Sequence, residues 1–424
     1  MGDNEDGIRL NGRYYLSAAF GRSEAMGQDS DYRHLLQAEG IPDSVVDFLR
    51  QWWSPCTYII VHTSGSTGSP RPIRLSRARM RASAQLTDRF FNFREGMPAL
   101  LSLDVSHIAG KMMLVRALVS RLDLWVTPPT SRPDLVYPQQ NFEFCPLVPT
   151  QLWRMLEADG DLGRLGTFLL GAAPVAADRL PFLHSLKQEV YQGFGMTETC
   201  SHIALRRLQP QGDGIYRSLP GVQWRVDHGG CLLLRAAATG HRWLRTQDRV
   251  QPEGDGFRWL GRADWVINVG GIKVHPEVVE GRLNALRLKL HKLNDLLNGE
   301  FVVLGWSDPY KGSVPICVVE DYTSNPIQKF LSNGINEQID LPFSPSNPPK
   351  DVQSCPELPP PSVTNPINEQ QAPFPGVVDP RYSPDWLKPY LKPEEIPRIL
   401  LRIHRFPRSP LGKILRHALA QKGI

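Results

Sequence analysis

The sequence predicts an α/β protein in two parts. A large N-terminal domain of layered α/β structure ends in a small β-barrel or sheet, and a small α+β C-terminal domain follows. Three observations carry this expectation. Between Ile73 and Val148, runs with helical spacing alternate with short apolar runs, the rhythm of helices laid on a sheet. Residues 215–260 change to short strand-like runs broken by turns, Asp227-His-Gly-Gly and Pro252-Glu-Gly-Asp-Gly. Beyond Gly261-Arg-Ala-Asp, a helix led by Pro and Glu precedes two further strands. A chain of 424 residues has ample material for such cores.

In chain order, Ile8-Arg-Leu-Asn-Gly-Arg-Tyr-Tyr reads as a hairpin on an Asn-Gly turn. Asp43 to Trp53 places Val45, Phe48, Leu49 and Trp52 at helical spacing behind an Asp or Ser cap. Tyr58 to Val61 is a β-branched and aromatic run, the pattern of a buried strand. Helices are expected over Arg77 to Phe91 and Lys111 to Ser120, and strands over Ala99–Leu103, Leu124–Val126, Phe144–Val148, Leu165–Leu170 and Glu189–Tyr191. In the C-terminal part, Pro276 to Leu290 reads as a helix, with strands at Phe301–Leu304 and Ile316–Glu320. Residues 321–384 are rich in Pro, Ser and Asn without periodicity, which predicts a flexible insert.

Composition narrows the classes. A net charge of +5 is small for this length and gives no argument for nucleic acid. The six cysteines (Cys56, Cys145, Cys200, Cys231, Cys317, Cys355) form no Cys-x-x-Cys pair, against a zinc site or a disulfide framework. The acidic N-terminus lacks the order of a signal peptide, and no apolar run is long enough to span a bilayer. The expected compartment is the cytoplasm.

Chemistry concentrates in five ordered stretches. After the Tyr58 strand, Thr63, Ser64, Gly65, Ser66, Thr67 and Gly68 supply hydroxyls and backbone N–H groups with little bulk, and Arg71 adds a positive charge. Such a loop suits phosphate oxygens, although alone it equally reads as a Ser/Gly turn, and it lacks the Gly-Lys-Ser/Thr of the Walker loop. Then come Tyr191-Gln-Gly-Phe-Gly-Met-Thr-Glu-Thr, Arg245-Thr-Gln-Asp, Gly261-Arg-Ala-Asp and Pro410-Leu-Gly-Lys-Ile-Leu-Arg.

In this order they resemble the adenylate-forming superfamily of acyl-CoA ligases, peptide-synthetase adenylation domains and luciferases, from about Thr57 to the C-terminus apart from the insert. The resemblance implies a shortened adenylate-forming domain over residues 1–263 and a mobile C-terminal domain over 264–424, with ATP, Mg²⁺ and CoA as co-substrates or cofactors. It assigns the Thr63–Gly68 loop to pyrophosphate, with Arg71 where a lysine is usual. Gly171, Ala172 and Ala173 match the adenine-side loop, and Phe194 takes the place of an aromatic that stacks on adenine, flanked by Gly193, Gly195 and Met196. Thr197 would bond the α-phosphate, Glu198 would bind Mg²⁺, Asp248 the ribose, and Arg262 the nucleotide. Asp264 matches the hinge. Gly270 and Gly271 with Lys273 resemble the loop that admits CoA, and Lys413 matches the catalytic lysine of adenylation.

Ser106-His-Ile-Ala-Gly-Lys-Met-Met-Leu-Val-Arg, together with Gly195-Met-Thr-Glu-Thr-Cys-Ser-His, most resembles the short o-succinylbenzoate–CoA ligase branch of menaquinone biosynthesis. By that resemblance the acid's neighbours would be His107, Lys111, Arg116, Ser201 and His202. Lys111 and Arg116 are five residues apart on one helix, so only one points inward, and the resemblance favours Arg116; both could equally be surface charges. The partners implied are small molecules: a carboxylic acid, ATP and CoA. Two other readings stay open, a ligase for another aryl or acyl acid and a non-catalytic nucleotide-binding homologue. The joint presence of Glu198, Asp248, Arg262 and Lys413 weighs against the second.

Overall fold

The N-terminal hairpin forms as its Asn-Gly pair requires. Strands β1 (Gly7–Leu10) and β2 (Arg13–Leu16) are joined by Asn11 and Gly12, whose φ angles of 49° and 81° match the twist of a two-residue turn. The structure, a computed structural model, describes residues 6–20, 36–62, 71–158, 160–173, 175, 179–210, 212–308, 310–320, 377–408 and 414–421. Thr63 to Gly68, Lys413 and the insert up to residue 376 lie outside them.

Helix α1 (Asp43–Trp53) buries the expected apolar stripe, Val45, Phe48, Leu49 and Trp52, with Val46 added. Its cap differs from expectation. Pro42 occupies the N-cap without a side-chain bond, and Asp43 lies in the first turn, accepting from Gln37 Nε2 at 2.9 Å. Among the described residues, strand β3 (Tyr58–His62) pairs only with β4 (Pro72–Ser76), antiparallel. Ile59 and Val61 are buried while Ile60 is 43% exposed, so this strand is half-buried, not buried on both faces as its composition suggests.

Helix α2 (Arg77–Phe91) is capped by Ser76, whose Oγ accepts from the Arg79 N–H, and ends at Asn92 in the left-handed region. Alternation then builds the main sheet: β5 (Pro98–Leu101), α3 (Ile108–Ser120), β6 (Asp123–Val126), β7 (Phe142–Leu147), α4 (Pro149–Glu157), β8 (Leu165–Leu170), α5 (Leu180–Leu183) and β9 (Val190–Met196). Strands β10 (Ser201–Gln209) and β11 (Arg217–Ser218) complete it. The order is β11-β10-β9-β8-β7-β5-β6-β1-β2. From β9 to β1 all neighbours are parallel, and the outer pairs are antiparallel. Parallel β7, β8 and β9 bring the loops after Leu147, Leu170 and Met196 to one edge, where open α/β sheets bind ligands.

The segment expected as a small barrel or sheet is an open antiparallel sheet of β12 (Gln223–Val226), β13 (Cys231–Arg235), β14 (Leu244–Glu253) and β15 (Gly256–Arg262), in that order. Leu232, Leu234, Val250 and Phe257 share one apolar core with Ile203 and Tyr216, which anchors this sheet against the β10 end of the large one.

The remaining elements form a separate layer. They are β16 (Ile267–Val269), β17 (Ile272–Val274), α6 (Pro276–Arg287), α7 (His291–Leu296), β18 (Phe301–Asp308), β19 (Gly312–Glu320), β20 (Val377–Val378), β21 (Leu400–Ile403) and α8 (Arg416–Gln421). Strand β19 is central, paired with β18, β16 and β21. Its alternate faces are both buried: Cys317 and Val319 against Val279 and Leu283, Ile316 and Val318 against Phe406 and Leu419. The described end of the expected insert is ordered into this sheet. Val377 and Val378 pair with β21, and the buried Asp379 carboxylate meets Arg402 at 2.7 Å. Among the described residues no helix is long and apolar enough to cross a membrane.

Candidate active site

The segment leaving β9 is tightly wound. Thr197–Thr199 is one 3-10 turn, and Cys200 and Ser201 follow with φ of 55° and 88°. Non-glycine residues in the left-handed region cost on the order of 1–3 kcal/mol each, so surrounding bonds must hold them. Thr199 supplies several: Oγ1 accepts from the Met196 N–H at 2.9 Å and lies 2.7 Å from the Ser201 carbonyl. Gly195 is required here by the close approach of β10. A Cβ at Gly195 would stand 2.2 Å from the Ser201 carbonyl oxygen and 2.5 Å from His202 Cα. Gly193 likewise faces His202 Cβ at 3.1 Å from such a methyl. Thr197 is buried, and Glu198 is half-buried with no side-chain hydrogen bond or ion pair among the described residues. Its two oxygens therefore suit a hard cation such as Mg²⁺, which takes one or two carboxylates and keeps waters. Among the described residues no cluster of three metal-ligating side chains exists.

A buried polar cluster lies behind this turn. Arg116, on the buried face of α3, is 2% exposed. Its Nε donates to Thr87 Oγ1 at 3.1 Å, and Nη2 reaches Ser201 Oγ at 3.2 Å and His202 Nδ1 at 3.3 Å. Since Nδ1 accepts, the neutral imidazole carries its proton on Nε2, which donates to Thr87 Oγ1 at 3.1 Å. Thr87 then donates to the Ser83 carbonyl at 3.3 Å, so its hydroxyl proton has a place beside the two bonds it accepts. Burial, and then the Arg116 charge, hold His202 well below the usual imidazole range. Burial also lowers Arg116 to about 9, so it stays charged at neutral pH. Among the described residues no carboxylate pairs with Arg116, and its Nη1 makes no hydrogen bond. A buried cation without an anion is costly unless an anion is to be bound. Three of the five expected acid-contacting residues, Arg116, Ser201 and His202, thus meet within hydrogen-bond distance.

The other two do not join them. Lys111 Nζ donates to the Val105 carbonyl at 2.7 Å and lies over the Phe48 ring, beside a cavity of about 300 Å³ between α1 and the Val105–Ser106 turn. Burial lowers its pKa. His107 stands at the N-terminus of α3, its Nε2 3.8 Å from Asp104 Oδ2.

On the nucleotide side, Gly171–Ala173 follows β8. Ala172 is left-handed at φ 69°, and Gln192 Nε2 donates to the Ala173 carbonyl at 2.9 Å, tying this loop to β9. The Phe194 ring packs at 5.4 Å from Phe257 and 5.6 Å from Tyr216. Asp248 pairs in register with Arg262 across β14 and β15, and its Oδ1 accepts from Trp259 Nε1 at 3.0 Å. Arg262 forms a two-pronged ion pair with Asp264, at 2.9 and 2.8 Å, so the expected nucleotide contact and the expected hinge hold each other. Arg71 is exposed at the edge of the undescribed loop. Gly270 and Gly271 form the tip between β16 and β17 with φ of 57° and 90°, and Lys273 beside them is exposed.

Four supporting residues escape sequence reasoning. Arg79, Ser83 and Thr87 recur every fourth position on α2, and a polar stripe on a helix otherwise reads as a solvated face. Trp259 gives no signal that it would orient a carboxylate.

The chain matches the family model of AMP-binding enzyme over residues 28–247. It is similar to 2-succinylbenzoate–CoA ligase of Salmonella typhimurium, 28% identical over 303 residues, covering 68% of this chain and 63% of that protein. The probable 2-succinylbenzoate–CoA ligase of Mycobacterium tuberculosis is 30% identical over 256 residues, 53% of this chain and 63% of that one. The chain thus spans a little under two thirds of the length of these relatives. Among solved structures, an acyl-CoA synthetase (AMP-forming)/AMP-acid ligase II-like protein from Dyadobacter fermentans is 31% identical with a TM-score of 0.51, covering 90% of this chain and 94% of that one. The o-succinylbenzoate CoA synthetase of Bacillus subtilis, in complex with its acyl-adenylate intermediate, is alike in fold, with a TM-score of 0.63 at 19% identity over 88% of this chain and 73% of that one.

Proposed function

The chain belongs to the family of AMP-binding enzymes, and from that premise we propose that it is an AMP-forming acid–CoA ligase whose acid carries a second carboxylate. The substrate we assign is 2-succinylbenzoate. The observation that carries this reading is Arg116, a buried guanidinium with no protein carboxylate among the described residues and an unused Nη1. A fatty acid would offer it nothing, whereas a second carboxylate would supply the missing charge. The names of the relatives point the same way.

The reaction has two halves. The succinyl carboxylate oxygen attacks the α-phosphorus of ATP, pyrophosphate leaves, and an acyl-adenylate remains bound. The CoA sulfur, having lost its proton, then attacks the acyl carbonyl and AMP leaves. Glu198 would hold Mg²⁺, which neutralises phosphate charge. Thr197 donates to the α-phosphate and Asp248 holds the ribose, oriented by Trp259. Lys413 supplies an ammonium group to the charge that develops in the first half. We divide the chain at 263/264, with Asp264 as the pivot that exchanges Lys413 for the Gly270-Gly271 tip between the halves. The five described cysteines are free, which supports a reducing compartment such as the cytoplasm.

Purified protein given ATP, Mg²⁺, CoA and a panel of benzoate, fatty, malonic and 2-succinylbenzoic acids tests this. The expected result is AMP, pyrophosphate and a thioester seen by mass spectrometry, with 2-succinylbenzoate fastest. Turnover of fatty or simple aryl acids in preference removes the substrate assignment, and no thioester from any acid removes the ligase.

A further inference from the structure

Helix α2 touches the site at three heights. Arg79 donates from Nη2 to the Glu198 carbonyl and from Nε to the Ala238 carbonyl at 2.7 Å. One turn on, Ser83 Oγ donates to the Cys200 carbonyl at 2.6 Å. One turn further, Thr87 Oγ1 meets His202 Nε2 at 3.1 Å and Arg116 Nε at 3.1 Å. Residues four apart stack on one helix face about 6 Å from each other, and here they engage every second residue of the segment 198, 200, 202. Ser83 and Thr87 are fully buried. The segment they grip holds the two consecutive left-handed residues Cys200 and Ser201, a strained shape that Thr199 holds from within and these three side chains from outside. The same three rungs span from the Glu198 turn to the Arg116 cluster, and Thr87 is bonded through its own hydroxyl to the Ser83 carbonyl.

We propose that Arg79, Ser83 and Thr87 are positioning residues, a polar rack on one helix that sets Glu198 and the Arg116–His202 pocket in fixed register with each other. This rests on the ligase reading above for its kinetic consequence but not for its structural one. Ser83 touches neither pole, so it isolates the effect. Removing its hydroxyl frees the Cys200 carbonyl and loosens the turn toward both ends.

The test uses the full chain with Ser83→Ala, Thr87→Val and Thr87→Ser. Hydrogen exchange of the peptide Thr197–Arg206 is expected to quicken at least fivefold in Ser83→Ala and Thr87→Val and to stay near wild type in Thr87→Ser. In pyrophosphate release, Ser83→Ala should raise both the half-saturating Mg²⁺ concentration and the KM for the acid at least threefold. A loss of folded protein alone would lower the maximal rate and leave both constants unmoved. Unchanged exchange in Ser83→Ala and Thr87→Val overturns the rack, and so does faster exchange with both constants unchanged. If Ser83→Ala does not fold, the Thr87 pair decides by the same readouts. A wild type that turns over no acid defeats the ligase reading, and the rack is then judged on exchange alone.

Discussion

At the scale of single residues, the charge balance around Arg116 decides most. Its guanidinium has left water, holds neutral partners only among the described residues, and keeps Nη1 unused. Arg116→Met therefore relieves a desolvated charge while losing three hydrogen bonds, two effects of opposite sign. Urea unfolding is expected to change by less than about 1.5 kcal/mol, while kcat/KM for the acid falls about 10²-fold, the result of about 3 kcal/mol from losing a buried charge partner. A second residue, Glu277, predicts a pH effect. Its carboxylate lies against Gly261, where a Cβ would come within 2.3 Å of Oε2, and that oxygen has no hydrogen-bond partner among the described residues. Burial raises it to about 7, opposed by Arg416 and helped by Glu280, while the Arg262 backbone N–H favours the ionised form. The folded state therefore holds a proton that the unfolded chain releases near the ordinary carboxyl range, and stability contributed by Glu277 is full below about 4.5 and lost as pH rises to about 7. Glu277→Gln should remove that slope, worth roughly 3 kcal/mol at most, in urea titrations between those pH values. His202 acts in the opposite sense, since its depressed pKa costs stability as pH falls below the ordinary imidazole value.

Among elements, the β9–β10 contact and the β16–β17 tip make a contrast that glycine substitution reads directly. Gly195→Ala puts a methyl into the backbone of Ser201 and His202. It should destabilise by about 3 kcal/mol and disturb the Arg116 cluster, measured by urea unfolding and by acid KM. Gly270→Ala meets nothing within 4 Å and carries only the left-handed cost at φ 57°, about 1 kcal/mol. Its effect should appear instead in the KM for CoA. Elements governed by local spacing were legible in the sequence: α2 begins and ends at the expected Arg77 and Phe91, and β8 at Leu165 and Leu170. Elements whose residues look alike in several settings were not. Helix α4 opens on a Pro after a strand, and β10, buried from His202 to Leu205, mixes Arg206, Arg207 and Gln209 into its second half, where the chain is less covered. Val377 and Val378 are hidden in proline-rich composition, yet a partner strand brought from 23 residues further along pairs them.

For the whole molecule, the sequence pointed to Glu198 and Arg116 as the poles of the candidate site but carried no sign of what holds them. Motifs near 197, 248 and 262 are contiguous and chemically distinctive, so they could be read one at a time. Thr87 reaches His202 across 115 positions, and such pairing leaves no local trace. Lys413, outside the described residues, belongs to this scale because its role depends on how two parts of the chain meet. Lys413→Ala should slow pyrophosphate release about 10²–10³-fold, the usual loss for one electrostatic contact, while thioester formation from supplied acyl-adenylate stays within about threefold, provided the two halves use different arrangements. The most direct measurement compares 2-succinylbenzoate with its ring carboxamide as substrates for wild type and Arg116→Met, scored by kcat/KM for thioester formation. Wild type should favour the diacid by about 10²-fold, in line with a buried charge pair, and the variant should treat the two alike. An undiminished preference in the variant, or none in wild type, would contradict recognition of the second carboxylate by Arg116.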